Sequence, residues 1–340
     1  MRARVGWYVH HHGAGHRTRA RVVGKRLRGR GASVTLLGSQ LGEVTPGLGR
    51  VDLARDDDGT IGAAADASVG GALHWAPLRH SGLRSRMAAI SAWVERERPD
   101  VLVADVSVEV TLLARLHGVP VVLVAQPGDR DDAVHRLALD AASAVLAPWP
   151  AAARPAPYLD RHPRVRCVGG ISGLTGRDVR ARGGEAVLLT GGLGLDRPSG
   201  VADAIRAATP DLAWTAVGGP RWVPPDELAG LLRHAPVVVA HAGQNAVADL
   251  AATGAPAVLV PQERPFAEQS HLAAELGRLG LARVAPFGRQ AGSIDWAAEV
   301  AAARGDEDAA GRWARWQVDG AADRAADLVL EVATEGRDRG

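Results

Sequence analysis

Short runs of β-branched and other apolar residues alternate along this chain with Ala-, Leu- and Arg-rich segments whose apolar positions recur at helical spacing. Continuous apolar runs read as strands buried on both faces, and strands alternating with helices read as parallel βαβ units. A first set of strands is predicted at 5–9, 33–37, 101–104, 121–125 and 144–146, and a second at 186–190, 212–217, 237–240, 257–260 and 282–284. Between the sets, five prolines from Pro148 to Pro163 break both periodicities, and an Arg/Gly run follows at 180–184. The pattern predicts an α/β chain of two tandem Rossmann-like domains, each a doubly wound parallel sheet, over residues 1–160 and 161–335. A C-terminal helix within 306–335 is anchored by Trp313, Trp316 and Leu328. Two such sheets bring their strand ends to a shared crevice, where open α/β sheets bind ligands.

Length agrees, since 340 residues exceed what one core supports and suit two domains of about 150 to 180 residues. The net charge of +2 comes from 40 basic and 38 acidic residues spread throughout, with Lys25 the only lysine. Basic and aromatic residues do not interleave as a stacking platform requires, so no nucleic-acid partner is expected. Cys167 stands alone, which excludes an intrachain disulfide and a cysteine-based zinc cluster. The N-terminal apolar run is shorter than a signal-peptide core, and no stretch reaches the length of a membrane span. A cytoplasmic protein is expected, with contact at the inner membrane face as an option. The segment 73–87 mixes Leu73, Trp75, Leu78 and Leu83 with Arg79, Arg84 and Arg86, as an interfacial patch or a core helix with a basic outer face would.

The first strand runs into HHHGAGHRTRA, a glycine loop opening a helix. Gly13 and Gly15 suit the tight turn, and His16 falls at or near the helix N-terminus facing the crevice. A helix N-terminus disfavours imidazolium, so a neutral His16 can take a proton from a hydroxyl. The other reading makes His16 a cap of that turn. Asp105, at the end of the strand PDVLVA, is placed either to orient His16 or to cap the next helix. Strand alternation would send the consecutive His10, His11 and His12 to different faces, so no metal is expected there.

In the second half, the strand AVLLT is followed by Gly191 and Gly192, and the strand PVVVA by HAGQNAVAD, where His241, Ala242, Gly243, Gln244 and Asn245 open a helix. Such loops present backbone N–H groups to an anion. HAGQNAVAD resembles the His-x-Gly-x-Asn-x-x-x-acidic core of the donor-binding signature of nucleotide-diphosphate-sugar glycosyltransferases. The pair Glu268-Gln269 falls where that signature has its acidic-Gln pair, and Trp222 resembles its upstream tryptophan. The N-terminal half, with GAGHRTRA and the segment 117–150, is similar to the acceptor domain of the lipid-linked GlcNAc transferases of peptidoglycan synthesis.

The resemblance implies a GT-B fold and an inverting, metal-independent transfer from a nucleotide-sugar diphosphate, a UDP-sugar by expectation, to an acceptor hydroxyl, with no cofactor. It implies that His241 and the N–H groups of Gly243 to Ala246 hold the diphosphate, Asp249 the ribose, and Glu268 and Gln269 the sugar. Trp222 would stack on the base, with a core tryptophan as the other reading. Gln244 and Ala246 depart from the tryptophan and serine usual in plant-type members, and Pro225 from a glutamine. A nucleotide-sugar hydrolase of the same fold and a non-catalytic nucleotide-sugar-binding subunit are the alternatives. The acceptor, whether small molecule, glycan or lipid-linked, is set by loops with no chemical code in the sequence.

Overall fold

The computed structural model describes residues 2–43, 45–58, 65–160, 162–174, 182–191, 200–219, 221–285 and 293–338. Seven parallel strands form the first sheet: β1 (Arg4–Val9), β2 (Ser33–Gly38), β3 (Gly49–Asp52), β4 (Val101–Asp105), β5 (Val121–Val124), β6 (Ala144–Ala147) and β7 (Val165–Cys167). Their order is β3-β2-β1-β4-β5-β6-β7. Five parallel strands form the second: β8 (Ala186–Gly191), β9 (Trp214–Gly218), β10 (Val238–Ala240), β11 (Ala257–Leu259) and β12 (Arg283–Val284), in the order β12-β11-β10-β8-β9. The order therefore reverses beside β1 and β4 in one sheet and beside β8 and β10 in the other. These are the switch points where the loops part and leave a crevice.

The inner strands follow from composition. VLVAD in β4 and VVLV in β5 are buried along their whole length, as strands covered on both faces must be. Two strands escaped the apolar pattern. GRVD in β3 is largely exposed and VRC in β7 has no fully buried residue, because both are edge strands with a half-covered surface.

The division at residues 160 and 161 is crossed twice. Strand β7 extends the first sheet to Cys167. The last helix, Ala321–Asp338, also leaves the second sheet, and its Ala325, Ala326, Val329 and Ala333 pack with Val5, Trp7, Val23, Leu27 and Val103 of the first domain. The two crossings touch. The Gly170 N–H donates to the Trp316 carbonyl at 3.0 Å, and Arg324 Nε to the Val168 carbonyl at 2.8 Å. Trp313, fully buried, donates its indole N–H to the Ala255 carbonyl at 2.8 Å and fastens the chain to the second domain before it crosses back.

Candidate active site

On the first-domain side β1 ends at Val9, and Gly13 (φ +88°) caps the helix Ala14–Gly29 without any side-chain bond. A positive φ of that size is free for glycine and strained for other residues. His16, in the first turn, is thus not the cap. Its Nδ1 lies 3.0 Å from Asp105 Oδ1, so the structure brings together the two residues the sequence placed at separate strand ends. Capping of the following helix falls to Ser107, whose side chain accepts from the Val110 N–H, and Asp105 is left to His16.

Asp105 is fully buried, with the buried Arg19 Nη1 3.7 Å from Oδ1. Burial pushes its carboxyl up, but Arg19 and then His16 outweigh it, and the group is held below the usual carboxylate range. A carboxylate can only accept, so His16 donates its Nδ1–H to Asp105 and Nε2 is the ring nitrogen turned away from it. His10, edge-on to His16 at 5.3 Å between ring centres, is pushed down to about 2, chiefly by burial, and stays neutral. Val106, between Asp105 and Ser107, has φ +78°, a conformation that costs a β-branched residue about 1–3 kcal/mol.

Across the crevice, the chain leaves β10 through His241–Gly243 into the helix Gln244–Thr253. His241 Nδ1 accepts the Gly243 N–H at 3.0 Å, which assigns the ring proton to Nε2. Burial, helped by Arg264, pushes His241 down to about 4, so the ring is neutral at pH 7. This corrects one expectation. The Gly243 N–H is spent on His241, and the free donors are those of the helix's first turn at Gln244, Asn245 and Ala246. Ala246 is buried and offers only its backbone.

The remaining donor-side residues divide. Trp222 is 74% exposed, which excludes the core reading. Gln269 is buried, and its Oε1 accepts from the Ala242 N–H at 3.1 Å and the Gln262 N–H at 2.9 Å, so its carbonyl holds the turn together and only its NH₂ faces the loop. Glu268 begins the helix Glu268–Arg278, with Oε2 3.7 Å from Arg130 Nη2 of the first domain. Gly191 ends β8. Gly192 lies outside the described residues. In the segment 73–87, Leu78 and Arg84 are exposed, but Arg86 is fully buried, donating to Tyr8 Oη and Ser39 Oγ. A basic outer face there thus lacks Arg86. Among the described residues no helix is long and apolar enough to cross a membrane.

Asp249 accepts from Ser172 Oγ at 2.5 Å and is pushed up to about 7, mainly by burial. A raised carboxyl gives stability that is full below the ordinary value near 4 and is lost as pH rises through about 7. Asp249→Asn keeps an acceptor for Ser172 and removes that loss. We expect a gain of about 1–3 kcal/mol at pH 8 that shrinks at pH 5, read by thermal unfolding; a gain independent of pH would overturn it.

Contacts between the domains were not legible in the sequence. A Cβ on Gly15 would lie 3.1 Å from Asn245 Oδ1, so the first turn of the helix carrying His16 rests against the start of the helix Gln244–Thr253. Gln244 Nε2 donates to Gln126 Oε1 at 2.8 Å. Arg130 sits 4.3 Å above the Phe266 ring, and the Asp129 N–H donates to the Phe266 carbonyl at 2.9 Å. Gln126 follows β5 as Asp105 ends β4, so the strand-end rule could have found it; Arg130 carried no such signal. Beside Gln126, a small cavity of about 20 Å³ is lined by Val106, Leu123, Ala138, Leu139 and Tyr158, with Arg130 and His135 at its polar side.

Residues 225–287 match the glycosyltransferase family 28 C-terminal domain. No curated protein matches the chain. Among solved structures, the glycotransferase of kitacinnamycin is similar with a TM-score of 0.69 and 18% identity, covering 98% of this chain and 100% of that one. MurG of Acinetobacter baumannii gives 0.64 and 14%, covering 97% and 100%. The spinosyn rhamnosyltransferase SpnG complexed with thymidine diphosphate gives 0.64 and 19%, covering 99% of each chain. Identities this low establish fold, and the fold is two parallel-sheet α/β domains of the GT-B type.

Proposed function

We propose that this chain, a GT-B glycosyltransferase by its fold and its family 28 C-terminal segment, transfers a sugar from a nucleoside diphosphate to an acceptor hydroxyl with inversion at the anomeric carbon. The observation that carries this reading is the His16–Asp105 pair, with the helix start that carries His16 abutting Asn245. A proton acceptor and a set of anion donors then face one crevice, as displacement of a diphosphate needs. In the proposed step His16 Nε2 removes the acceptor proton, the acceptor oxygen bonds to the anomeric carbon, and the carbon–oxygen bond to the diphosphate breaks with its electron pair leaving on phosphate. Asp105 stabilises the imidazolium that forms. His241 Nε2–H and the helix N-terminus at Gln244 to Ala246 meet the developing charge, so the reading calls for no metal on the leaving group.

The donor proposed is a UDP-sugar. SpnG was solved with thymidine diphosphate, which shares the pyrimidine and the diphosphate, so both bases belong in the test. Thermal-shift screening of uridine and thymidine diphosphates and their sugars should give one series that raises Tm, since a ligand of the folded state stabilises it by about 2.7 kcal/mol at 100 times Kd. Product analysis then decides the chemistry. Donor consumed only with an acceptor supports transfer, free sugar without one means hydrolysis, and binding without turnover on any acceptor means a subunit that lost chemistry.

Trp222 supplies a narrower check. Base stacking on an aromatic face is worth about 1–3 kcal/mol, so Trp222→Ala should raise the donor KM about 5- to 150-fold with kcat little changed. Its exposure predicts no loss of Tm. An unaltered KM would remove the tryptophan from the donor site.

A further inference from the structure

We infer that His11, His12 and Asp57 form a binding site for one divalent first-row transition-metal ion of the zinc class, on the acceptor side of the crevice. Alternation does not separate the two histidines, because β1 ends at Val9 and His10 to Gly13 are not in a strand. The His11 and His12 rings stand 4.2 Å apart between centres. The third group comes from elsewhere in the sheet. Asp57 lies in the bend after β3, and the order β3-β2-β1 in a parallel sheet delivers both chain segments to the same edge.

The spacing is that of ligands. His11 Nε2 and His12 Nε2 each lie 3.2 Å from Asp57 Oδ2, and the three donor atoms fall within 4.8 Å of one another. Bonds of about 2.0–2.1 Å at the tetrahedral angle put neighbouring donors about 3.3 Å apart. A hydrogen-bonded His–Asp pair is the ordinary explanation of such a contact, but His11 does not meet it. Both of its ring nitrogens are buried without a hydrogen-bond partner, in a residue only 9% exposed. Nε2 lies within ion-pair distance of Asp57 and Asp56 without aligning an N–H on either, so its desolvation is offset only in part. A cation between them gives that nitrogen a partner.

The surroundings fix the chemistry. Arg55 grips Asp57 bidentately from its other side, Nε to Oδ1 at 2.9 Å and Nη2 to Oδ2 at 2.7 Å, and sets the plane of the carboxylate. Asp56 Oδ1, 3.6 Å from His11 Nε2 and itself without a hydrogen bond, adds negative charge, with Arg86 Nη2 3.3 Å from it. The two arginines offset the two aspartates, so affinity falls below that of closed structural zinc sites. Two imidazoles and a carboxylate favour zinc, cobalt, nickel or copper over magnesium or calcium, which take all-oxygen sets. His12, with a side chain 61% exposed, leaves one flank open to solution and to further ligands.

All three ligands belong to the first domain, on the loops after β1 and β3. The ion would tie the loop after β1, four residues ahead of His16, to the loop after β3. Titration of the full chain with Co²⁺ should develop the visible bands of a low-coordinate ion and saturate at one equivalent, with excess Mg²⁺ failing to displace it. His12→Ala removes only an exposed ring and should lower Co²⁺ affinity at least about tenfold and abolish the bands; Asp57→Asn should do the same. His117→Ala, an exposed histidine elsewhere, should leave the titration unchanged. Absence of the bands from the parent protein, or bands that survive His12→Ala, overturns the site.

Discussion

Replacing His16 with alanine should lower kcat about 10²- to 10⁴-fold, the range that positioned proton transfer contributes, while the thermal shift produced by the donor is retained. The reasoning is local. His16 Nδ1 is engaged by an Asp105 carboxylate that Arg19 and His16 keep ionised, so Nε2 is the one nitrogen free to take a proton. The donor cradle lies in the other domain and should bind as before. Asp105→Asn tests the same pair from behind. An asparagine can present its NH₂ to Nδ1, reverse the tautomer and place the proton on Nε2, so its loss of kcat should approach that of His16→Ala. Unchanged turnover in His16→Ala with donor still bound would sink the base assignment.

His241→Ala should cost about 10²- to 10³-fold in kcat, as loss of one preorganised donor to a developing anion does. KM should change less, because the charge on the leaving oxygen grows most in the transition state. The pH dependence carries its own sign. His241 is pushed down to about 4, so between that value and the ordinary one near 6.5 the unfolded chain binds a proton that the folded chain refuses. Stability is full above about 6.5 and is lost as pH falls towards 4, by on the order of 1–3 kcal/mol. His241→Ala should flatten that acid limb in a series of Tm measurements. If the limb persists unchanged, the burial of the neutral ring is not its source.

How much of this was legible depends on the range over which each residue acts. VLVAD and VVLV announce buried strands through their own side chains, and a parallel sheet then dictates that the residues at their ends meet at one edge. That rule paired Asp105 with His16 across 89 positions without knowledge of any contact. It did not find Arg130 on Phe266, a pair that depends on how two domains are set against each other. The edge strands GRVD and VRC lacked a signal because one side of each meets no neighbour. The expected separation of His11 and His12 to different faces failed for a different reason, since a period of two was carried past Val9, where the strand had ended. The open choices at Asp105 and Trp222 were decided by a neighbour and by solvent: Ser107 performs the capping, and the indole stands in water.

The return of the last helix to the first domain governs how the crevice can open. A two-domain protein joined by one linker can bend, twist and slide about that point. Here two stretches of backbone pass between the domains and are fastened to each other where Gly170 meets Trp316 and Arg324 meets Val168. Two crossings fastened to each other restrain twist between the domains more than one linker would. Any change in the distance from His16 to the turn at Asn245 has to bend both crossings together.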